Sequence, residues 1–98
     1  MPTFVLMTKL SPDVTKDMRK RDEIGKQWKE QISKKCPGVR WIAHYALLGP
    51  FDVMSIYEAP SAEDAAKVSM ISLANGALKA ESWTAIPYQR FVELAREI

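Results

Sequence analysis

One histidine, two tyrosines and an aspartate fall within the stretch from Trp41 to Tyr57: His44 and Tyr45, then Asp52, then Tyr57 itself. The imidazole of His44 titrates near neutrality, so it can serve as a general acid or base, with the Tyr45 or Tyr57 phenol handling a proton beside it. The competing reading is a packed strand histidine with one ring nitrogen satisfied. Asp52 closes the run Gly49-Pro50-Phe51-Asp52. Its carboxylate either caps backbone N–H groups of that turn or sits at a pocket mouth as a ligand contact, and turn chemistry favours the first. Trp41, Tyr45, Tyr57 and Trp83, with Met7, Met54 and Met70 as flexible filler, make either a core or the lining of a cavity for a hydrophobic molecule. The candidate catalytic groups are therefore His44, Tyr45 and Tyr57, and the candidate ligand contacts are Trp41, His44, Asp52 and Trp83.

Other chemistries find little support. Cys36 is the single cysteine and precedes Pro37-Gly38. It cannot form an intramolecular disulfide, and the negative end of a helix dipole disfavours its thiolate, although Lys34 and Lys35 push the other way. No HxH or CxxC spacing suggests a metal, and no P-loop, GxGxxG or Gly-x-Ser-x-Gly motif suggests a cofactor or a serine nucleophile. No cofactor is expected. The basic residues Lys16, Arg19, Lys20, Arg21, Lys34 and Lys35 are interleaved with Asp17, Asp22, Glu23 and Glu30, the pattern of a solvated helix face. With a net charge of +2, neither nucleic acid nor a membrane is expected as a partner. The opening residues read as a first strand rather than a signal peptide, and no run reaches membrane-spanning length, so a cytoplasmic protein is expected.

The elements that must carry these residues follow from periodicity. Ninety-eight residues with 47% hydrophobic content fit one domain, residues 1–98, with one small core. Thr3 to Lys9 reads as a strand. From about Asp13 to Lys35 the residues Ile24, Trp28 and Ile32 recur four apart, a helix stripe, with Asp17–Arg21, Asp22–Lys26 and Glu30–Lys34 as ion pairs on its wet side. Val39 to Leu48 and Asp52 to Ala59 read as a hairpin, with Pro50 at a tight turn. Ser61 is the expected N-cap of a second helix. In that helix Ala62, Ala66, Met70 and Leu73 form one stripe, with Ala65, Val68 and Ile71 beside it, and the small residues let it lie close to a sheet. Asn75-Gly76 closes the helix in a left-handed turn. Ala77 to Ile86 is a fourth strand, and Phe91, Leu94, Ala95 and Ile98 mark a C-terminal amphipathic helix. The order is βαββαβ plus a helix.

Successive strand residues point to opposite faces, so a half-solvated sheet should show one polar set. Here Phe4 and Leu6 oppose Val5 and Met7, Trp41 and Tyr45 oppose Ile42 and Ala46, and Val53 and Tyr57 oppose Met54 and Ile56. Neither set is polar, and two helices can cover only one face. The other face would exceed the few hundred Å² of exposed apolar patch that monomers tolerate. A homodimer or larger homo-oligomer is predicted, its sheets face to face. Which set faces the helices is left open.

The run Tyr45-Ala-Leu-Leu-Gly-Pro-Phe-Asp-Val-Met-Ser-Ile-Tyr-Glu-Ala-Pro60, the opening Pro2 to Pro12, Ala65-Ala-Lys-Val68 and the Trp83 to Pro87 stretch together resemble the GYD-domain family. The resemblance covers nearly the whole chain. It implies a ferredoxin-like dimeric α+β barrel with an antiparallel four-stranded sheet. The chain departs from the family pattern at Phe51, where tyrosine is usual, and at Ala77, where many relatives carry histidine after the glycine. The same hairpin motif recurs in the ligand-binding domains of feast/famine transcriptional regulators, whose DNA-binding helix-turn-helix is absent from this sequence; that is a fold-level analogy.

Three functions compete at this level. The first is a homo-oligomeric binding or accessory module holding a small apolar or amphipathic molecule. The second is a cofactor-independent enzyme resembling the monooxygenases and isomerases of the same barrel fold. The third is a purely structural or interaction subunit.

Overall fold

The computed structural model describes residues 1–98. In chain order the elements are β1 (Thr3–Leu10), α1 (Pro12–Thr15), α2 (Met18–Lys35), β2 (Arg40–Ala46), β3 (Val53–Glu58), α3 (Ala62–Ala74), β4 (Ala77–Ala85) and α4 (Tyr88–Arg96). The strands form one antiparallel sheet in the order β2-β3-β1-β4. This is the ferredoxin-like α+β arrangement that the element order predicts.

The register of β1 settles which set of side chains meets the helices. Phe4 pairs with Tyr57, and Leu6 lies between Ser55 and Ser82. These residues sit under α2 and α3, in a core that joins Phe4, Leu6 and Tyr57 to Ile32, Cys36, Ala65 and Val68. Leu6, Tyr57 and Val68 are wholly buried, and each apolar side chain of this size contributes roughly 1.5–3 kcal/mol of transfer free energy. Phe4 and Tyr57 stack with centroids 5.6 Å apart. The Tyr57 hydroxyl is hydrogen-bonded to Ser82 at 2.8 Å, and Ser82 also meets Ser69 at 2.8 Å.

The opposite set faces away from the helices. Val5 stands between Ile56 and Trp83, Met7 between Met54 and Glu81, and Tyr45 beside Met54. No helix covers them. Phe51 folds over from its loop and meets Trp83 edge-on at 6.2 Å. Met7 is buried between its strand neighbours, whereas Trp83 and Tyr45 keep about half their surface in solvent, at 47% and 53%.

Four local expectations need correction. The helix predicted from Asp13 to Lys35 is broken, because Asp17 accepts hydrogen bonds from the backbone N–H groups of Arg19 (3.0 Å) and Lys20 (3.3 Å). Asp17 is the N-cap of α2 and not the ion-pair partner of Arg21. The pairs Asp22–Lys26 (3.2 Å) and Glu30–Lys34 (3.1 Å) do form. Second, α3 is rotated from the predicted stripe: Ala65, Val68 and Ser72 are buried, while Met70 and Leu73 face solvent. Third, the link between β2 and β3 is a wide loop and not a tight proline turn. Leu47 N–H donates to the Asp52 carbonyl (2.9 Å) and Asp52 N–H to the Thr8 carbonyl (2.8 Å). Fourth, the Asp52 carboxylate does not cap its own turn, but accepts from Leu10 N–H at 2.8 Å. It thereby extends the β1–β3 pairing beyond its last pair, Thr8 with Val53.

Other local signals act as the sequence suggests. Ser61 Oγ accepts from Asp64 N–H at 3.3 Å. Gly76 has φ +90°, and a Cβ there would lie 3.0 Å from Val14 Cγ2, so both backbone and space require glycine. The small inner face of α3 brings its backbone within 8 Å of β4 and β1, an approach α2 does not match. The Ile24, Trp28 and Ile32 side chains hold α2 further off. Finally, α4 has no buried residue and makes no extensive contact with the other elements.

Candidate functional site

The predicted catalytic groups do not converge. His44 lies on the covered face of the edge strand β2, and its Nδ1 is 2.9 Å from Ser55 Oγ. Tyr45, its chain neighbour, points to the open face. Tyr57 is sealed in the core with its hydroxyl on Ser82. Burial pushes the Tyr57 phenol above its ordinary pKa, with the Ser82 hydrogen bond opposing, so it stays protonated at neutral pH. Burial pulls the His44 imidazole below its ordinary value, and the Lys29 ammonium adds to the effect. His44 is therefore neutral at pH 7.

The predicted ligand contacts divide in the same way. Trp41 and His44 stay together, their rings 4.9 Å apart, and Trp28 of α2 closes on Trp41 at 5.0 Å. Trp83 lies on the open face with Phe51, its indole N–H donating to Glu81 at 2.9 Å. Asp52 is committed to Leu10. Cys36 is buried and its thiol is pushed up by that burial and by Asp64, against Lys67. The charges that act on it come from α3, not from Lys34 and Lys35 of its own helix. No cluster of three or more His, Cys, Asp or Glu side chains is placed to hold a metal ion.

What the structure does assemble is a pocket that none of these residues marks. Because α2 stands off the sheet, a half-open space of about 160 Å³ remains between α2, the end of β1, β3 and the α3–β4 turn. Its walls are mostly apolar, with Leu10, Ile24, Trp28 and Val53 prominent. Ser55 and Ser72 lie at its base. Both hydroxyls are already engaged, Ser55 with His44, and Ser72 between the Val68 carbonyl (2.8 Å) and the indole N–H of Trp28 (2.8 Å). Arg21 and Gly25 line both this pocket and the groove on the outer side of α2, and so mark its mouth.

Arg21, Gly25, Trp28 and Ser55 are thus the residues that reading by motif overlooks. One signal was available: a glycine in the middle of an amphipathic helix lowers helix stability by roughly 1 kcal/mol relative to alanine and calls for a reason. The Ser55–His44 pair has the geometry of a hydroxyl beside a neutral base. No carboxylate hydrogen-bonds the imidazole to orient it as the third member of a triad.

Comparison with known proteins adds two findings. The GYD domain family pattern matches residues 4–95. A Thermus thermophilus protein named glutamine synthetase and cystathionine beta-lyase binding protein is 32% identical over 87 residues, which cover 89% of this chain and 90% of that protein. No solved structure matches the chain at the same stringency.

Proposed function

The chain belongs to the GYD domain family, and from that membership we propose a homo-oligomeric accessory module that docks on partner enzymes and holds a small apolar or amphipathic molecule. The observation that carries the reading is the open sheet face. Val5, Met54, Ile56 and Trp83 form an apolar centre, and Glu58, paired with Arg40 at 3.5 Å, stands at its margin with Lys9 and Glu81. An apolar centre inside a polar rim is the anatomy of an interface. Two such faces stacked together bury roughly 800 Å² per partner, the size of a specific contact. The stripe of Phe91, Leu94 and Ala95 on α4, with Ile98 just past the end of the helix, lacks an extensive partner in its own chain and reaches across the same seam.

Docking on enzymes is supported by the name of the Thermus relative, which binds two of them. The small-molecule half of the reading rests on the apolar pocket under α2. A cytoplasmic setting accords with a chain in which no helix is long and apolar enough to cross a membrane. The first test is light scattering at micromolar concentration, where the expected mass is at least twice the 11.1 kDa of one chain. A single-chain mass removes the assembly. The second test is surface plasmon resonance against purified glutamine synthetase and cystathionine beta-lyase of the same organism. Absence of saturable binding to both removes the docking role.

A second reading, a cofactor-independent enzyme, is favoured by one contact, the 2.9 Å pair of His44 and Ser55, in which Ser55 alone lines the pocket. Such a pair acylates from an activated ester. A burst of nitrophenol from p-nitrophenyl acetate, lost in both Ser55→Ala and His44→Ala, is the expected result; no burst in the parent protein removes Ser55 as a nucleophile and with it the contact that favours this reading.

A further inference from the structure

We propose that the pocket under α2 selects a small organic anion, a monocarboxylate with one compact apolar group, whose carboxylate is held by Arg21 at the mouth. The inference rests on the pocket being a small-molecule site and adds the charge and size of its ligand.

Size comes first. About 160 Å³ is close to the engineered apolar cavity of roughly 150 Å³ that stays dry and takes up benzene. One aromatic ring or one branched alkyl group fills such a space. The polar groups at the base ask for nothing more, because Ser55 and Ser72 are already hydrogen-bonded within the chain. The inner part of the ligand is therefore apolar.

The mouth has the opposite character. Arg21 is the one charged side chain lining the pocket. It is half-buried, unlike its neighbours Arg19 and Lys20, and it takes part in none of the ion pairs of the chain. The carboxylates that flank it are engaged elsewhere: Asp17 with the backbone N–H groups of Arg19 and Lys20, and Asp22 with the Lys26 ammonium. The Arg21 stem lies against the apolar wall while its guanidinium has no counter-charge in the chain, and the planar fork of donors matches a carboxylate in two parallel hydrogen bonds.

Gly25, one turn further along α2, supplies the independent observation. A Cβ added there meets no atom within 4 Å, so nothing inside the folded chain requires glycine. Alanine would fit and would favour the helix. The side chain that is missing at Gly25 is what leaves the mouth open beside Arg21. A helix that forgoes stability at the rim of an apolar pocket, next to an unpaired arginine, is built for entry of an anion.

The test compares benzoate and isovalerate with their neutral amides, benzamide and isovaleramide, by isothermal titration and thermal shift. The acids are expected to bind at least roughly tenfold more tightly than the amides, the scale of a charge-assisted bidentate contact. Arg21→Gln should erase that difference while leaving amide binding in place. Gly25→Leu should abolish binding of all four, and Gly25→Ala, which keeps and strengthens the helix, should weaken it in part. Helical circular dichroism confirms that each variant folds. Equal affinity of acids and amides for the parent protein overturns the anion assignment and leaves the pocket as an apolar site. Binding of none of the four overturns both. Acid binding that survives Gly25→Leu but is lost in Arg21→Gln places the anion on the outer surface and overturns the pocket assignment.

Discussion

The two faces of the sheet are made by alternate residues of the same strands, from the same kinds of side chain, and they end differently. Phe4 and Leu6 are closed over by α2 and α3. Val5 and Met7, their immediate neighbours, have only adjacent strands beside them, and Trp83 and Tyr45 remain about half exposed. Hydropathy is therefore the same on the two faces, while its use differs. On the covered face apolar burial stabilises the single chain. On the open face the same free energy is still available for association, because it has not been spent on folding.

The strongest way to break that comparison is to shorten one side chain on each face of β1. Leu6→Ala should cost about 2–5 kcal/mol, the range for a buried leucine whose site cannot collapse. Val5→Ala, one residue away, should cost less than about 1.5 kcal/mol in dilute protein, because its side chain is only half-buried. Urea titration of both variants at the lowest practical concentration makes the measurement. Equal losses mean that the open face is a second core of the monomer.

A charge on the open face sharpens the contrast from the other side. Ile56→Glu places a carboxylate opposite Val5 and Ala43. The expected result is a single-chain mass by light scattering, with the dilute unfolding midpoint changed by less than about 1 kcal/mol. An unchanged assembly mass shows that the interface lies elsewhere, with α3 and its exposed Met70 and Leu73 as the next surface to charge.

A smaller effect belongs to the covered face alone. Tyr57→Phe removes the hydroxyl from Ser82 but leaves Ser82 with Ser69. The loss should be about 1 kcal/mol, because the remaining partner keeps its hydrogen bond. A loss near that of Leu6→Ala means that the Tyr57–Ser82–Ser69 chain acts as a unit.

How far these features could be read beforehand follows the same division. The strands, the Ser61 cap and the left-handed Gly76 were legible, because each is written in a local pattern with a local cause. That neither face is polar was legible too. Which face the helices take was not, since Phe4-Val5-Leu6-Met7 offers two equivalent apolar sets and only the packing of α2 and α3 distinguishes them. In α3 hydropathy favoured Met70 and Leu73, but Ser72 is buried because it holds both the Val68 carbonyl and the Trp28 indole, a bond across 44 residues. Asp17 offers a cap and an ion pair from the same carboxylate, and the cap prevails by satisfying two orphan N–H groups. The pocket was illegible for a related reason. It is a gap between α2 and the sheet, so its residues have no common motif, and Arg21 reads as one more charge on a wet helix.

The smallest effect is one of pH, and it reports the helix side of the sheet, where Cys36 and Tyr57 are buried and His44 stands at the exposed edge strand. Burial and Lys29 hold the folded His44 below its ordinary pKa of 6.5. In the unfolded chain the ring takes up a proton near that value, so just below it the unfolded state holds more protons than the folded one. Stability must then fall as the pH is lowered through the mid-sixes, and level off once the folded imidazole is protonated as well. On the alkaline side the sign reverses its cause: the raised Tyr57 and Cys36 ionise first in the unfolded chain, so stability falls again as the pH climbs through their ordinary values of 10.0 and 9.0. His44→Gln should flatten the acid limb between about pH 5.5 and 7.5, above the range where carboxylates titrate, and leave the alkaline limb intact. Urea midpoints across that range are the measurement. A slope unchanged by the substitution would mean that His44 is solvated alike in the folded and unfolded chains, and that the covered side ends at Trp41, short of the histidine.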